Sequence, residues 1–178
     1  MSDDHEKSVA LARAVRLREQ GEAEAAREQL LELAGRFPGD AVIAYQTAWV
    51  HDVLGLEAEA VPFYERALAG EGLTREDRHG VFLGLGSTYR VLGRYDEAAR
   101  TLRRGLAAFP EDSALRAFLA MALYNRGEGR EAVGLLLKTL AAATEDPGVR
   151  RYRRAIEHYA DDLDAVEPMS GEAAGRDA

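Results

Sequence analysis

Four histidines, His5, His51, His79 and His158, are the side chains of this chain best suited to moving protons or binding a metal near neutral pH. None lies in a metal motif such as H-E-x-x-H, and the absence of cysteine removes thiol nucleophiles and Cys-based zinc sites. His51 and Asp52 are adjacent, but neighbours on a helix point about 100° apart and cannot orient one another. His51 is therefore read as a packing residue. Ser87 and Ser113 have no base partner in view, and no histidine is expected to meet a serine or a carboxylate in a cleft. Gly84-Leu-Gly86 falls inside a predicted helix, where it signals close packing and not a phosphate-binding loop. No catalytic residue, metal ligand or cofactor is expected. Binding chemistry is better represented: Trp49, the one tryptophan, follows Tyr45 by one helical turn. Such a pair serves either as core or as a contact hot spot.

These residues need a scaffold, and composition says what kind. Of 178 residues 47% are hydrophobic, mostly Ala and Leu, which suits closely packed helices and excludes wholesale disorder. A net charge of -8 opposes binding to DNA or RNA. The opening MSDDHEKS has neither a basic start nor an apolar stretch, and no apolar run is long enough to cross a bilayer, so a cytoplasmic location is expected.

A period organises the chain. Gly21, Gly55, Gly93 and Gly127 are separated by 34, 38 and 34 residues, and an alanine follows five residues after each: Ala26, Ala60, Ala98 and Ala132. A fixed step of this size marks a helical repeat array. The third unit, His79 to Asp112, is the clearest, with Phe82, Leu85-Gly86, Tyr89, Gly93, Ala98, Leu102, Gly105 and Pro110. Gly86 and Ala98 are small where two helices must cross closely. Gly93 suits a left-handed helix terminus, Pro110 stops the second helix, and Asp112 is an N-cap for the next. The second unit departs most. It has Thr47 and His51 where the third and fourth units have Leu85 and Leu119, and Tyr89 and Leu123, and four extra residues in the loop around Gly70 and Gly72; the first unit departs in having Arg13 at the position of Thr47. Thr74 and Asp77 then form a capping-box start. Asp146-Pro147 starts a last helix, with Val149, Tyr152, Ile156, Tyr159 and Leu163 on one face. Arg150, Arg151, Arg153 and Arg154 are balanced by acids on the same helix, as in Arg153–Glu157.

This pattern closely resembles the tetratricopeptide repeat over about residues 7 to 165. The resemblance implies an all-α solenoid of four helix-turn-helix repeats, 7–40, 41–78, 79–112 and 113–146, closed by a capping helix over 147–165. That makes nine helices, with residues 1–6 as an N-terminal extension and 166–178 as a disordered tail.

In the family the first helix of each repeat lines a concave groove. Carried over, the groove receives Leu11, Val15, Arg18 and Glu19, then Tyr45, Trp49, Asp52 and Val53. The third unit supplies Leu83, Ser87, Arg90 and Val91, and the fourth Ala117, Met121, Tyr124 and Asn125. The lysine-and-asparagine clamp by which some relatives hold acidic chaperone C-termini is absent, because Leu11, Val15, Leu83 and Ser87 occupy its positions. The resemblance thus implies a non-enzymatic module that holds a peptide or helix of an unidentified protein. Arg18, Tyr45, Trp49, Asp52, Ser87, Arg90, Met121, Tyr124 and Asn125 are its candidate contacts. The alternative is homo-oligomeric self-assembly through the same apolar positions or an imperfect cap. Neither reading involves a nucleic acid or a membrane.

Overall fold

A computed structural model describes residues 2–166; the tail expected beyond Val166 lies outside the described residues. In chain order the helices are α1 (Ser2–Glu19), α2 (Ala23–Arg36), α3 (Ala41–Val53), α4 (Glu57–Ala69), α5 (Arg75–Val91), α6 (Tyr95–Ala108), α7 (Ser113–Asn125), α8 (Gly129–Ala143), α9 (Pro147–Arg151) and α10 (Arg153–Asp161). From α1 to α8 each helix packs on the next, and α1, α3, α5 and α7 also touch in order. The first helices therefore form one layer and the second helices another, the arrangement of a solenoid.

The turn inside each pair is built the same way four times. Gly21, Gly55, Gly93 and Gly127 adopt φ of 85°, 70°, 75° and 84°, a region that favours glycine. Each donates its N–H three residues back, and the next N–H reaches five residues back, as in Arg94 to the Tyr89 carbonyl at 2.8 Å. This double bond pattern satisfies the last carbonyls of the first helix and reverses the chain. At the starts of α3, α5, α7 and α9, Asp40, Thr74, Asp112 and Asp146 accept backbone N–H bonds. Between the layers, a Cβ placed on Gly86 would lie 2.5 Å from Leu102 Cγ, so α5 and α6 cross as closely as the pattern of small residues predicts. One apolar core runs from Ala44 in α3 to Ala132 in α8.

Two expectations need correction. Helix α1 begins at Ser2, so residues 2–6 continue the first helix instead of preceding it. The described residues hold ten helices, not nine, because the C-terminal cap breaks at Tyr152 into α9 and α10. Its expected inward face is also turned. Tyr152, Tyr159 and Leu163 are exposed, and the buried residue of α10 is Ala160. The cause is a notch at Gly134, where an added Cβ would stand 2.5 Å from the Ala160 carbonyl oxygen. Ion pairs from Lys138 to Asp161 (2.5 Å) and Arg130 to Asp164 (2.6 Å) hold the cap on that side of α8.

Candidate functional site

The first-helix layer carries the candidate residues in two groups. The first lies on α3 and α5, around a pocket of about 570 Å³ lined by Tyr45, Trp49, Asp52, Tyr64, Leu83 and Ser87 among others. Tyr45 is buried and its ring stacks on Trp49, with centroids 5.6 Å apart. Trp49 remains 40% exposed, so of the two it is the one that presents a face to solvent. Across the first turn of the array, Arg18 places its guanidinium 3.5 Å from the Trp49 ring centre and donates to Gln46 Oε1 at 2.6 Å. Burial draws the Arg18 guanidinium below the usual arginine range, opposed by the fields of Tyr45 and Glu19. Arg18 is thus engaged with Trp49 and Gln46, partners that the repeat register did not suggest.

Asp52 anchors the pocket floor. Tyr64 donates to Asp52 Oδ2 at 2.7 Å, and the Thr88 hydroxyl stands 3.0 Å from both carboxylate oxygens. Burial pushes the Asp52 carboxyl above its ordinary value, while the Tyr64 and Thr88 hydroxyls pull it back only in part. Burial likewise raises Tyr45, helped by Asp77, to about 12, and raises Tyr64 further still, with Asp52 as the second cause. Both phenols therefore stay protonated, and Tyr64 acts as a donor to Asp52. Tyr64 and Thr88 went unrecognised in the sequence as partners of Asp52. The available signal was that a tyrosine at a core position needs somewhere to send its hydroxyl.

The second group lies on α5, α7 and α8, where Arg90, Met121, Tyr124 and Asn125 line a pocket of about 270 Å³ with Val133 and Leu136. Tyr124 and Met121 are exposed, whereas Arg90 is half-buried with its Nε enclosed and without a hydrogen-bond partner. The structure therefore brings Tyr45, Trp49, Asp52 and Ser87 to one pocket and Arg90, Met121, Tyr124 and Asn125 to another. Arg18 borders the first.

The histidines divide. His51 is buried, with Nδ1 2.7 Å from the Thr47 carbonyl oxygen and its ring stacked on Phe63. This is the packing role expected of it. His79 overturns the expectation that no histidine would meet a carboxylate, since its Nε2 lies 2.9 Å from Asp112 Oδ2 at the edge of the larger pocket. Ser87 is eight residues further along α5, about 12 Å of helical rise, and Asp112 is occupied capping α7 through the Leu115 N–H at 2.7 Å. Among the described residues no group of His, Asp or Glu is placed to hold a metal ion, and no helix is long and apolar enough to cross a membrane.

Stacked helix pairs, glycine-hinged and open along one layer, define a helical-repeat solenoid of the kind that presents a binding surface. A sequence model of the tetratrico peptide repeat matches residues 41–163, well over half of the chain, and the chain belongs to that family. The fold of this family is generally a non-catalytic scaffold for protein interactions. Among solved structures, a MamA protein superposes with a TM-score of 0.69 at 17% identity, covering 94% of this chain and 82% of that one. A MamA fragment from Desulfovibrio magneticus RS-1 gives 0.62 at 18% identity, covering 89% and 97%. YrrB, described as a TPR protein with an unusual peptide-binding site, gives 0.60 at 20% identity, covering 87% and 84%. At these identities the likeness shows the fold. No curated protein matches the chain.

Proposed function

We propose that this protein is a non-enzymatic module that holds an extended or helical segment of another protein along its first-helix layer. The observation that carries the reading is the run of exposed large apolar side chains along that layer: Trp49 and Val53 on α3, Val91 on α5, and Met121 and Tyr124 on α7. Exposed apolar side chains grouped on one surface mark interaction sites, and Trp and Tyr are the side chains that most often dominate them. Arg90 supplies a charge beside Met121 and Tyr124. Arg18 acts through Trp49, whose ring it holds in place. The resemblance of YrrB supports a peptide as the class of ligand.

The test is a displayed random-peptide library selected against the full chain, with affinities measured by calorimetry. Trp49→Ala, Arg90→Ala and Tyr124→Ala should each weaken selected peptides about tenfold or more, the scale of an interface hot spot. Arg100→Ala, an exposed change on α6, should leave affinity as it was. Selected peptides that bind all three groove variants as tightly as the wild type would show that the groove is not the site.

A further inference from the structure

Charge inside the larger pocket of the first-helix layer is one-sided. Three carboxylates line it, Asp52 from α3 and Glu76 and Asp77 from the first turn of α5, and neither lysine nor arginine does. Among the described residues none of the three forms an ion pair, whereas acids elsewhere on the array do: Asp40 with Lys7, Asp96 with Arg126 and Asp161 with Lys138. The cations nearest in sequence are held elsewhere. Arg75 and Arg78 flank the α5 acids, but their guanidiniums stand 4.8 Å and 5.9 Å from the ring centres of Phe109 and Phe82, neither of which lines the pocket. Arg18 is fixed on Trp49 and Gln46, and His79 faces Asp112 at the pocket edge.

The imbalance is felt by the groups around it. Burial raises the Tyr45 phenol, and the fields of Asp77 and Glu76 push it the same way. Burial raises the Asp52 carboxyl, and Glu57 adds to that rise. A negative field gathered in a half-enclosed pocket attracts a cation and is relieved by one. The other walls suit the stem of a long basic side chain. Val53, Leu83 and Phe118 line the same pocket, and lysine and arginine lay their methylenes along apolar surface while the charged head reaches a polar group. The smaller pocket has the reverse character, since Arg90 is its charged lining residue and no acid lines it. The two pockets therefore ask for different side chains. A carboxylate entering the larger one would meet three like charges, and an apolar side chain would leave them uncompensated.

We propose, resting on the first-helix layer as the binding surface, that the segment it holds carries a lysine or arginine whose side chain enters the pocket between α3 and α5. The charged head lies among the carboxylates of Asp52, Glu76 and Asp77, and the stem runs along Val53, Leu83 and Phe118. Charge complementarity thus fixes the chemistry of one anchor, while Met121 and Tyr124 take an apolar one further along the layer. Raising salt weakens the basic anchor by screening and leaves the apolar one in place.

Peptides selected from a displayed random library against the full chain test this. They should be enriched in lysine and arginine over aspartate and glutamate. In a selected peptide, replacing the basic residue by its neutral counterpart, norleucine for lysine or citrulline for arginine, should weaken binding about tenfold. Asp52→Asn and Glu76→Gln should each weaken the parent peptide severalfold and barely affect the neutral one, a coupling that a merely structural change would not produce. Circular dichroism with a urea midpoint verifies folding of both variants. Glu28→Gln, exposed on α2, makes the same change to the net charge of -8 and should leave affinity as it was. Two failures are distinguishable. Peptides that lose affinity with Trp49→Ala but tolerate the neutral replacement and both amide variants leave the groove standing and overturn the basic anchor, as does a selection enriched in acids. Peptides indifferent to Trp49→Ala, Arg90→Ala and Tyr124→Ala overturn the groove and the basic anchor together.

Discussion

Gly86→Ala tests whether the small residues of the repeat are set by helix crossing. In an exposed helix, replacing glycine by alanine stabilises by about 0.5–1 kcal/mol, since alanine leaves less backbone entropy to lose. At Gly86 the new methyl would stand 2.5 Å from Leu102 Cγ, 2.7 Å from Cδ2 and 3.1 Å from Cδ1. The nearest contact is at the branch point of Leu102, which is fully buried, so rotating the leucine tip relieves little of it. Helices α5 and α6 would have to separate by about 1 Å to reach ordinary carbon contact. Overpacking of this kind costs about 1–3 kcal/mol, and because the contact is at the branch point the upper half of that range applies; subtracting the propensity gain from about 2–3 kcal/mol leaves a net loss of about 1–2.5 kcal/mol. Gly35, near the end of α2, is the internal control, because an added Cβ there meets nothing within 4 Å. Urea denaturation followed by helix circular dichroism should lower the midpoint for Gly86→Ala and leave it level or raise it for Gly35→Ala. Equal or higher midpoints for both variants would refute the claim that α5 and α6 cross as closely as described.

Asp52 and Arg18 give two further outcomes. Burial raises the Asp52 carboxyl above the ordinary carboxylate value of 3.8, so the folded state holds that proton more tightly than the unfolded chain does. Its contribution to stability is complete below pH 3.8 and is lost as pH rises through the elevated folded value, and Asp52→Asn should remove that decline. Urea midpoints from acid to neutral pH should show the variant gaining on the wild type as pH rises, and parallel curves would contradict the assignment. Arg18→Ala should lose the stack on Trp49 and the bond to Gln46, together about 1–2 kcal/mol, and shift Trp49 emission to longer wavelength as water reaches the ring. An unchanged emission spectrum would mean that Arg18 does not cover Trp49 in solution.

Local rules made the array legible from sequence. A left-handed glycine, a capping aspartate or threonine, and a small residue at a crossing act within one turn or one helix pair, and each stands where the spacing placed it. Register also placed Tyr45, Trp49, Arg90, Met121 and Tyr124 in the first-helix layer. It did not reveal pairings across units, because these depend on how far each pair rotates on the last. Thr88 reaches Asp52 from 36 residues away, and Arg18 reaches Gln46 from 28. The cap failed for a related reason. Val149, Tyr152, Ile156 and Tyr159 have the spacing of an inward face, yet Gly134 on α8 decides where α10 can approach, and that notch outweighs the pattern.

The second unit shows how a departure from the repeat pattern becomes a binding surface. Its two tyrosines need room that a regular neighbour would deny them, and α5 provides it with Gly80 and Gly84, one helical turn apart. A Cβ on Gly80 would lie 2.1 Å from the Tyr45 hydroxyl, and one on Gly84 2.4 Å from that of Tyr64. The Tyr45 notch sets the angle at which Tyr45 supports Trp49, and the Tyr64 notch lets its hydroxyl meet Asp52. These glycines lie just past the four-residue extension around Gly70 and Gly72, which lengthens the step between the second and third units. The longer step, the glycine pair and the aromatic pair meet at one junction, and the largest pocket of the first-helix layer opens there. An alanine at Gly84 would therefore act on the groove and not merely on the core: by pushing the Tyr64 ring aside it would strip Asp52 of one of its two hydroxyl partners.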